Sequence, residues 1–220
     1  LFLARIFLND IFSIGLLPMA GLLVYVIMYT GFLRLGIHLV PSALLALMLS
    51  EAYLVVLSGL IKRIFVGRHW GSAHTAPFWS WRHFSYFFAQ DCFFAWCRRP
   101  LRMSAGSILS SPLLRMMGCR IGKRTIMSSP LQASDWNAVD FGDDCIVNGF
   151  LQFHTFENMM LKVKLAQIRD GSSVNFGATV MGGAVIEPNT VLLPLSLVLK
   201  EIHLPADIYE GSPAEPVARN

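Results

Sequence analysis

IRDGSS VNFGAT VMGGAV IEPNTV LLPLSL, residues 168–197, followed by Val198, is the stretch whose reading decides the fold. In rows of six, the first column is Ile168, Val174, Val180, Ile186, Leu192 and Val198, aliphatic throughout. The fourth column holds Gly171, Gly177, Gly183 and Asn189 in four rows, and the fifth holds the small residues Ser172, Ala178, Ala184, Thr190 and Ser196. An amphipathic helix repeats about every 3.6 residues and a strand about every 2, so neither produces this pattern. A parallel β-helix does. Each of its coils is three short flat strands, and each strand points one aliphatic side chain inward and turns at a Gly or Asn that accepts positive φ.

Working outward, Ile121-Gly122, Phe141-Gly142 and Val147 fit the same frame, so residues 118–220 read as a β-helix domain of about three or four coils at roughly 18 residues each. The period is lost between Phe150 and Leu165. Residues 150–165 are therefore expected to be a loop excursion, and such insertions tend to map to a functional face. So short a solenoid needs caps or partners at its ends.

The first third has a different character. Ile11 to Leu33 runs 23 residues without a charge, and Leu39 to Ile61 is interrupted by Glu51 alone among charged residues. At about 1.5 Å rise per residue each run spans a hydrocarbon layer of about 30 Å, so residues 1–66 read as a transmembrane helical hairpin turning at Arg34 to His38. Arg5 before the first run and Lys62, Arg63 and Arg68 after the second place both ends on the cytoplasmic or equivalent side. Glu51 in a membrane interior is expected to be protonated or paired inside a bundle, with a packing contact favoured over a proton relay. In residues 67–117, ten rings from Phe78 to Trp96 lie among Arg82, His83, Arg98 and Arg99. They suit an interfacial helical stretch on the bilayer; a helix docked against the β-helix domain is the alternative.

Composition narrows the classes. Of 220 residues, 54% are hydrophobic and 15% charged, against about 25% charged in an average soluble domain. Mean hydropathy is +0.53. Sixteen Phe and five Trp exclude disorder, and the net charge of +4 is better suited to a membrane surface than to nucleic acid. Cys92, Cys97, Cys119 and Cys145 lack paired spacing and read as reduced thiols. His69, His74, His83 and His203 are too scattered for zinc, so no metal site is expected, and no phosphate-cradling glycine motif occurs. Ser110–Pro112 and Ser128–Pro130 read as turns. The sequence begins at Leu1 and reads as a mature form or a piece of something longer.

The repeats, with the close Lys200-Glu201, Leu204-Pro205 and Gly211-Ser212-Pro213-Ala214, resemble the hexapeptide-repeat acyltransferase superfamily, which implies a left-handed parallel β-helix. More narrowly, the order of elements is similar to the C-terminal membrane modules of polylysine-synthetase-type nonribosomal peptide synthetases. The matching residues are Leu114-Arg115-Met116-Met117-Gly118-Cys119-Arg120-Ile121-Gly122, Asp140-Phe141-Gly142-Asp143 and His154-Thr155-Phe156-Glu157. In that branch the last motif continues with an acidic residue and an Arg, whereas Asn158, Met159 and Met160 follow here.

The resemblance implies a general-base histidine that takes a proton from an amine or hydroxyl attacking a thioester. His154 on the excursion is the candidate, with Glu157 or Asp135 orienting its other nitrogen. The alternative is a structural histidine capping a turn or pairing with Glu157. The expected function is a membrane-bound transferase moving an acyl or aminoacyl group. Its donor would be a thioester, acyl-CoA or carrier-protein phosphopantetheine, with no tightly bound cofactor. The resemblance also implies a homotrimer or pseudo-trimer, or a larger membrane complex, with sites between neighbouring coils. The alternative from another class is a catalytically inactive scaffold in such a complex.

Overall fold

The computed structural model describes residue 7 and residues 11–66, 73–107, 109–128 and 135–218. Arg5, Arg68, His69 and most of the Ser128–Pro130 turn lie outside the described residues.

A π-helical turn, Ile11–Leu16, leads into α1, Leu17–Arg34, with Pro18 in the first helical turn, where its missing N–H is not needed. Gly36 at φ +79° turns the chain, and α2, Leu39–Phe65, returns alongside. The face that α2 buries carries Ser42, Ala46, Ser50, Leu54 and Ser58, four residues apart. Small side chains at this spacing let helices approach closely, and a Cβ on Gly21 would lie 2.7 Å from Leu54 Cδ1. Leu22, Leu23, Ile27, Leu44 and Met48 face outward. Both helices are long and apolar enough to cross a membrane by length and composition.

Strand β1, Ala73–Pro77, precedes α3, Trp81–Met103, which starts where Ser80 Oγ accepts a hydrogen bond from the His83 N–H at 3.2 Å. This aromatic helix is docked between the other two units. Phe88 and Cys92 pack with Leu54 and Ile61, while Tyr86, Ala89, Phe93 and Leu101 join the core of the β-domain. Trp79 and Trp81 remain exposed. A short helix, α4, Ser110–Met116, leads into the coils.

The β-domain is a three-sided stack of parallel strands. One face runs β15 (His203–Leu204), β12 (Val185–Ile186), β9 (Ala166–Ile168), β4 (Val139–Phe141) and β2 (Arg120–Ile121). The second runs β16 (Ile208–Glu210), β13 (Val191–Leu192), β10 (Ser173–Val174), β5 (Ile146–Val147) and β3 (Ile126–Met127), with β17 (Glu215–Pro216) added antiparallel. The third holds β14 (Leu197–Val198), β11 (Thr179–Met181) and β6 (Phe150–Gln152). Val174 pairs with Leu192, Val180 with Val198 and Ile186 with Leu204, one coil later in each case. Every first-column aliphatic is buried, as is every fifth-column residue from Ser172 to Ser196.

The corners show why the period is six. Positive φ recurs at Gly171, Gly177, Gly183, Asn189, Leu195 and Glu201. The last two are not turn formers; stacking imposes the corner on them, because each must lie above the corner one coil earlier. The stack is five strands deep on the two larger parallel faces, taller than the three or four coils expected.

The excursion is shorter than the expected 150–165: Phe150–Gln152 stay in the coil as β6, stacked on β11, and the residues that leave it form a hairpin. Strand β7, His154–Glu157, pairs antiparallel with β8, Met160–Lys164, and β1 adds to the outer edge of β8. Its two-residue turn is Asn158 at φ +50° and Met159 at φ +58°, the backbone of a type I′ turn. The Asn158-Met159 departure thus sits at the hairpin tip, and Phe78 N–H donates to Met159 O at 2.9 Å.

Candidate functional site

His154 is the first residue of β7, directly after the buried Phe153. Asp135 immediately precedes a single 3-10 turn, Trp136–Ala138, that leads into β4. The two meet: His154 Nδ1–H donates to Asp135 Oδ2 at 2.6 Å. The Asp135 side chain is 0% exposed and that of His154 is 22% exposed. A carboxylate only accepts, so it fixes the proton on Nδ1 and leaves Nε2 with a lone pair, the tautomer a general base needs.

A buried carboxylate requires compensation, since an isolated charge in the interior is very costly. It comes from the helices. Gln90 Nε2 on α3 donates to Asp135 Oδ1 at 3.3 Å, and Gln90 Oε1 accepts from Lys62 Nζ on α2 at 3.3 Å. Lys62 is 1% exposed and Gln90 4%. Lys62 also lies 5.1 Å from the centroid of the Phe93 ring. A continuous polar chain therefore joins the last turn of the second apolar helix to the imidazole. Beside it, Asn137 is buried and its amide has no hydrogen-bond partner among the described residues.

Burial works against the His154 imidazolium, but the hydrogen bond and charge of Asp135 outweigh it, and the pKa is raised above the ordinary histidine value. Tyr86 and Phe156 stand edge-on to the ring, with centroids at 6.3 and 5.4 Å.

Glu157 has other partners. It lies three residues along β7, on the opposite face from His154. Lys162 Nζ donates to it at 2.7 Å, and Lys200, from a corner of the coils, donates to its other oxygen. These two hydrogen bonds pull its pKa down to about 2, so it is an anion that pins the hairpin to the coils. Of the two acids expected to orient His154, Asp135 is the one in contact. Glu51 pairs within the chain, accepting from Arg99 Nη1 on α3 at 3.2 Å, with both side chains substantially exposed.

In the sequence Lys62 reads as a flanking charge, and Gln90 belongs to no motif. The available signal was thin: Gln90 is the one uncharged amide among the rings of α3, and its partners lie 28 and 45 residues away. All four cysteines are free and buried. Burial pushes the Cys92 and Cys97 thiols up to about 12 and raises those of Cys119 and Cys145, so none is a ready thiolate. Among the described residues, no cluster of three His, Cys, Asp or Glu forms a metal site.

No family model matches the chain. In sequence it is 33% identical over 106 residues to delta-poly-L-ornithine synthetase of Acinetobacter baumannii, a match covering 47% of this chain and 8% of that protein. The chain thus corresponds to under a tenth of that relative's length. Its structural neighbours are hexapeptide-repeat acetyltransferases. One, from Vibrio cholerae and solved with acetyl coenzyme A, is 14% identical with a TM-score of 0.43, covering 55% of this chain and 83% of that one. A maltose O-acetyltransferase from Clostridium difficile is 14% identical with a TM-score of 0.38, covering 55% and 82%. A serine acetyltransferase from Neisseria gonorrhoeae is 15% identical with a TM-score of 0.33, covering 60% and 56%.

Proposed function

We propose that the chain is a membrane-bound transferase in which His154, held by Asp135, moves an acyl or aminoacyl group from a thioester to an amine or hydroxyl. The observation that carries this reading is the 2.6 Å contact between His154 Nδ1 and a fully buried carboxylate, on the hairpin that leaves the coils. The residues resembling a synthetase module support the aminoacyl form of the reaction.

In the step proposed, His154 Nε2 takes the proton from the acceptor N–H or O–H as that atom attacks the thioester carbonyl. The tetrahedral intermediate collapses, the C–S bond breaks, and the imidazolium returns the proton to the departing sulfur. Asp135 steadies the imidazolium throughout and keeps the ring in one tautomer. The donor is an acyl-CoA or a carrier-bound phosphopantetheine thioester.

The rest of the reading follows the elements. α1 and α2 cross the bilayer, with Leu22, Leu23, Ile27, Leu44 and Met48 against lipid. Their polar ends and the coils, left-handed as in the superfamily, lie on the cytoplasmic or equivalent side. Three chains, or three copies in a pseudo-trimer, form the complete site between neighbouring coils.

The test offers the full chain in lipid nanodiscs labelled acyl and aminoacyl thioesters of coenzyme A and of a carrier protein, with a panel of amines and alcohols. Label appearing in an amide or ester, dependent on the chain, is the expected result. If no donor is consumed faster than in empty nanodiscs, the transferase reading fails and the scaffold reading replaces it.

A further inference from the structure

A second polar site lies away from His154, where the second apolar helix meets the first coil. A cleft of about 540 Å³ opens there, and Arg63, Arg115 and Arg120 line it together with Pro112, Met116 and Ile121. The convergence follows from the packing. A Cβ on Gly59 would lie 2.9 Å from Met116 Cγ, so α2 runs hard against α4 at that point. Arg63 is four residues after Gly59, on the same helix face, and is carried to the same junction. Arg115 is fixed by donating to Ile121 O at 2.7 Å, and Arg120 follows where β2 begins.

The charge balance is one-sided. Asp140 meets Arg120 at 3.4 Å, while Arg63 and Arg115 make no ion pair among the described residues. Three guanidinium forks around a cleft with an apolar wall match a phosphate oxygen cluster attached to an apolar or neutral chain. On the outer side of α2, Leu60, Ile64 and Phe65 are exposed around Arg63, placing the cleft beside the surface that would meet lipid.

From this arrangement we infer that the Arg63–Arg115–Arg120 cleft binds a phosphate ester, with an anionic phospholipid headgroup as its occupant. A soluble ester such as coenzyme A carries the same chemistry, and the experiment separates the two sources. The inference does not use the His154 chemistry, because no hydrogen bond joins the three arginine side chains to His154, Asp135, Gln90 or Lys62 among the described residues, but its lipid occupant rests on the membrane placement of α2 proposed above.

The full chain in neutral detergent is examined by native mass spectrometry with phosphatidylglycerol or phosphatidylcholine, and separately with coenzyme A. Phosphatidylglycerol should be retained in preference to phosphatidylcholine. Arg63→Gln and Arg120→Gln should each weaken that retention about fivefold, the worth of one cation near an anionic surface. Arg63→Lys should keep most of it, and Arg34→Gln, at the opposite end of the hairpin, should keep all. Coenzyme A held in the same arginine-dependent way, without lipid preference, would keep the phosphate assignment and make the occupant soluble. Retention of both ligands unchanged in Arg63→Gln and Arg120→Gln, with thermal midpoints matching the parent, overturns the inference.

Discussion

A methyl group on Gly182 would lie 2.5 Å from the carbonyl oxygen of Phe153, the residue before His154. It would also lie 3.2 Å from Lys164 O, at the other foot of the hairpin. Gly182 is therefore the seat on which the site hairpin rests, and backbone atoms leave it no room to give. Gly182→Ala is expected to cost about 1–3 kcal/mol of stability by overpacking. Transferase activity should fall further than the unfolded fraction explains, because the hairpin that moves carries the base. Parallel denaturation and turnover measurements on one preparation check this.

The pH dependence has a definite sign. His154 acts as a base only when neutral, and its pKa is raised by Asp135, so the rate should climb with pH through a midpoint above the ordinary value of about 6.5. In Asp135→Asn the charge is gone, a neutral amide replaces the carboxylate as the hydrogen-bond partner, and burial remains, so the midpoint should move to lower pH while the maximum falls at least about a hundredfold. A group whose folded pKa is raised stabilises fully below its unfolded pKa. The difference in unfolding free energy between the parent and His154→Gln should shrink as pH rises through the raised value.

Lys62→Met removes the cation at the far end of the polar chain and leaves Asp135 buried without it. Breaking a buried pair in this way costs about 3–5 kcal/mol. Combined with Asp135→Leu, the loss should be clearly less than the sum of the two single losses, since the residues belong to one network. Equal additivity in urea titrations would show that Gln90 does not couple them.

Met159 occupies the second position of the hairpin turn at φ +58°, where side chains other than Gly are strained. Its side chain is largely exposed, so little packing is lost by removing it. Met159→Gly should stabilise the chain by about 1 kcal/mol, readable as a rise in thermal midpoint, with turnover unchanged.

Where the sequence spoke clearly, it did so through repetition. The aliphatic column from Ile168 to Val198 announced the coils because each member is buried in the same place on successive strands. Leu195 and Glu201 hid their corners, since positive φ there is imposed by the coil below and not by residue type. The excursion was visible as a break in period, but not as a hairpin: Asn158-Met159 lacks the usual Gly, and the partner β1 lies some eighty residues earlier in the chain. The aromatic segment admitted two readings because rings that suit a headgroup layer also suit a core, and α3 is in fact packed on both neighbours. His154 and Asp135 were both named from sequence. The link to Lys62 was not, as a lysine ending an apolar run looks like an anchor until its ammonium is found inside.

The most direct test compares thiol release from the preferred thioester by the full chain in nanodiscs, for the parent, His154→Ala and Glu157→Gln. The account predicts that His154→Ala reduces release to the level of empty nanodiscs, while Glu157→Gln, which loosens the hairpin's anchor without touching the imidazole, retains most of it. Release by His154→Ala at the parental rate would contradict the assignment of His154 as the base.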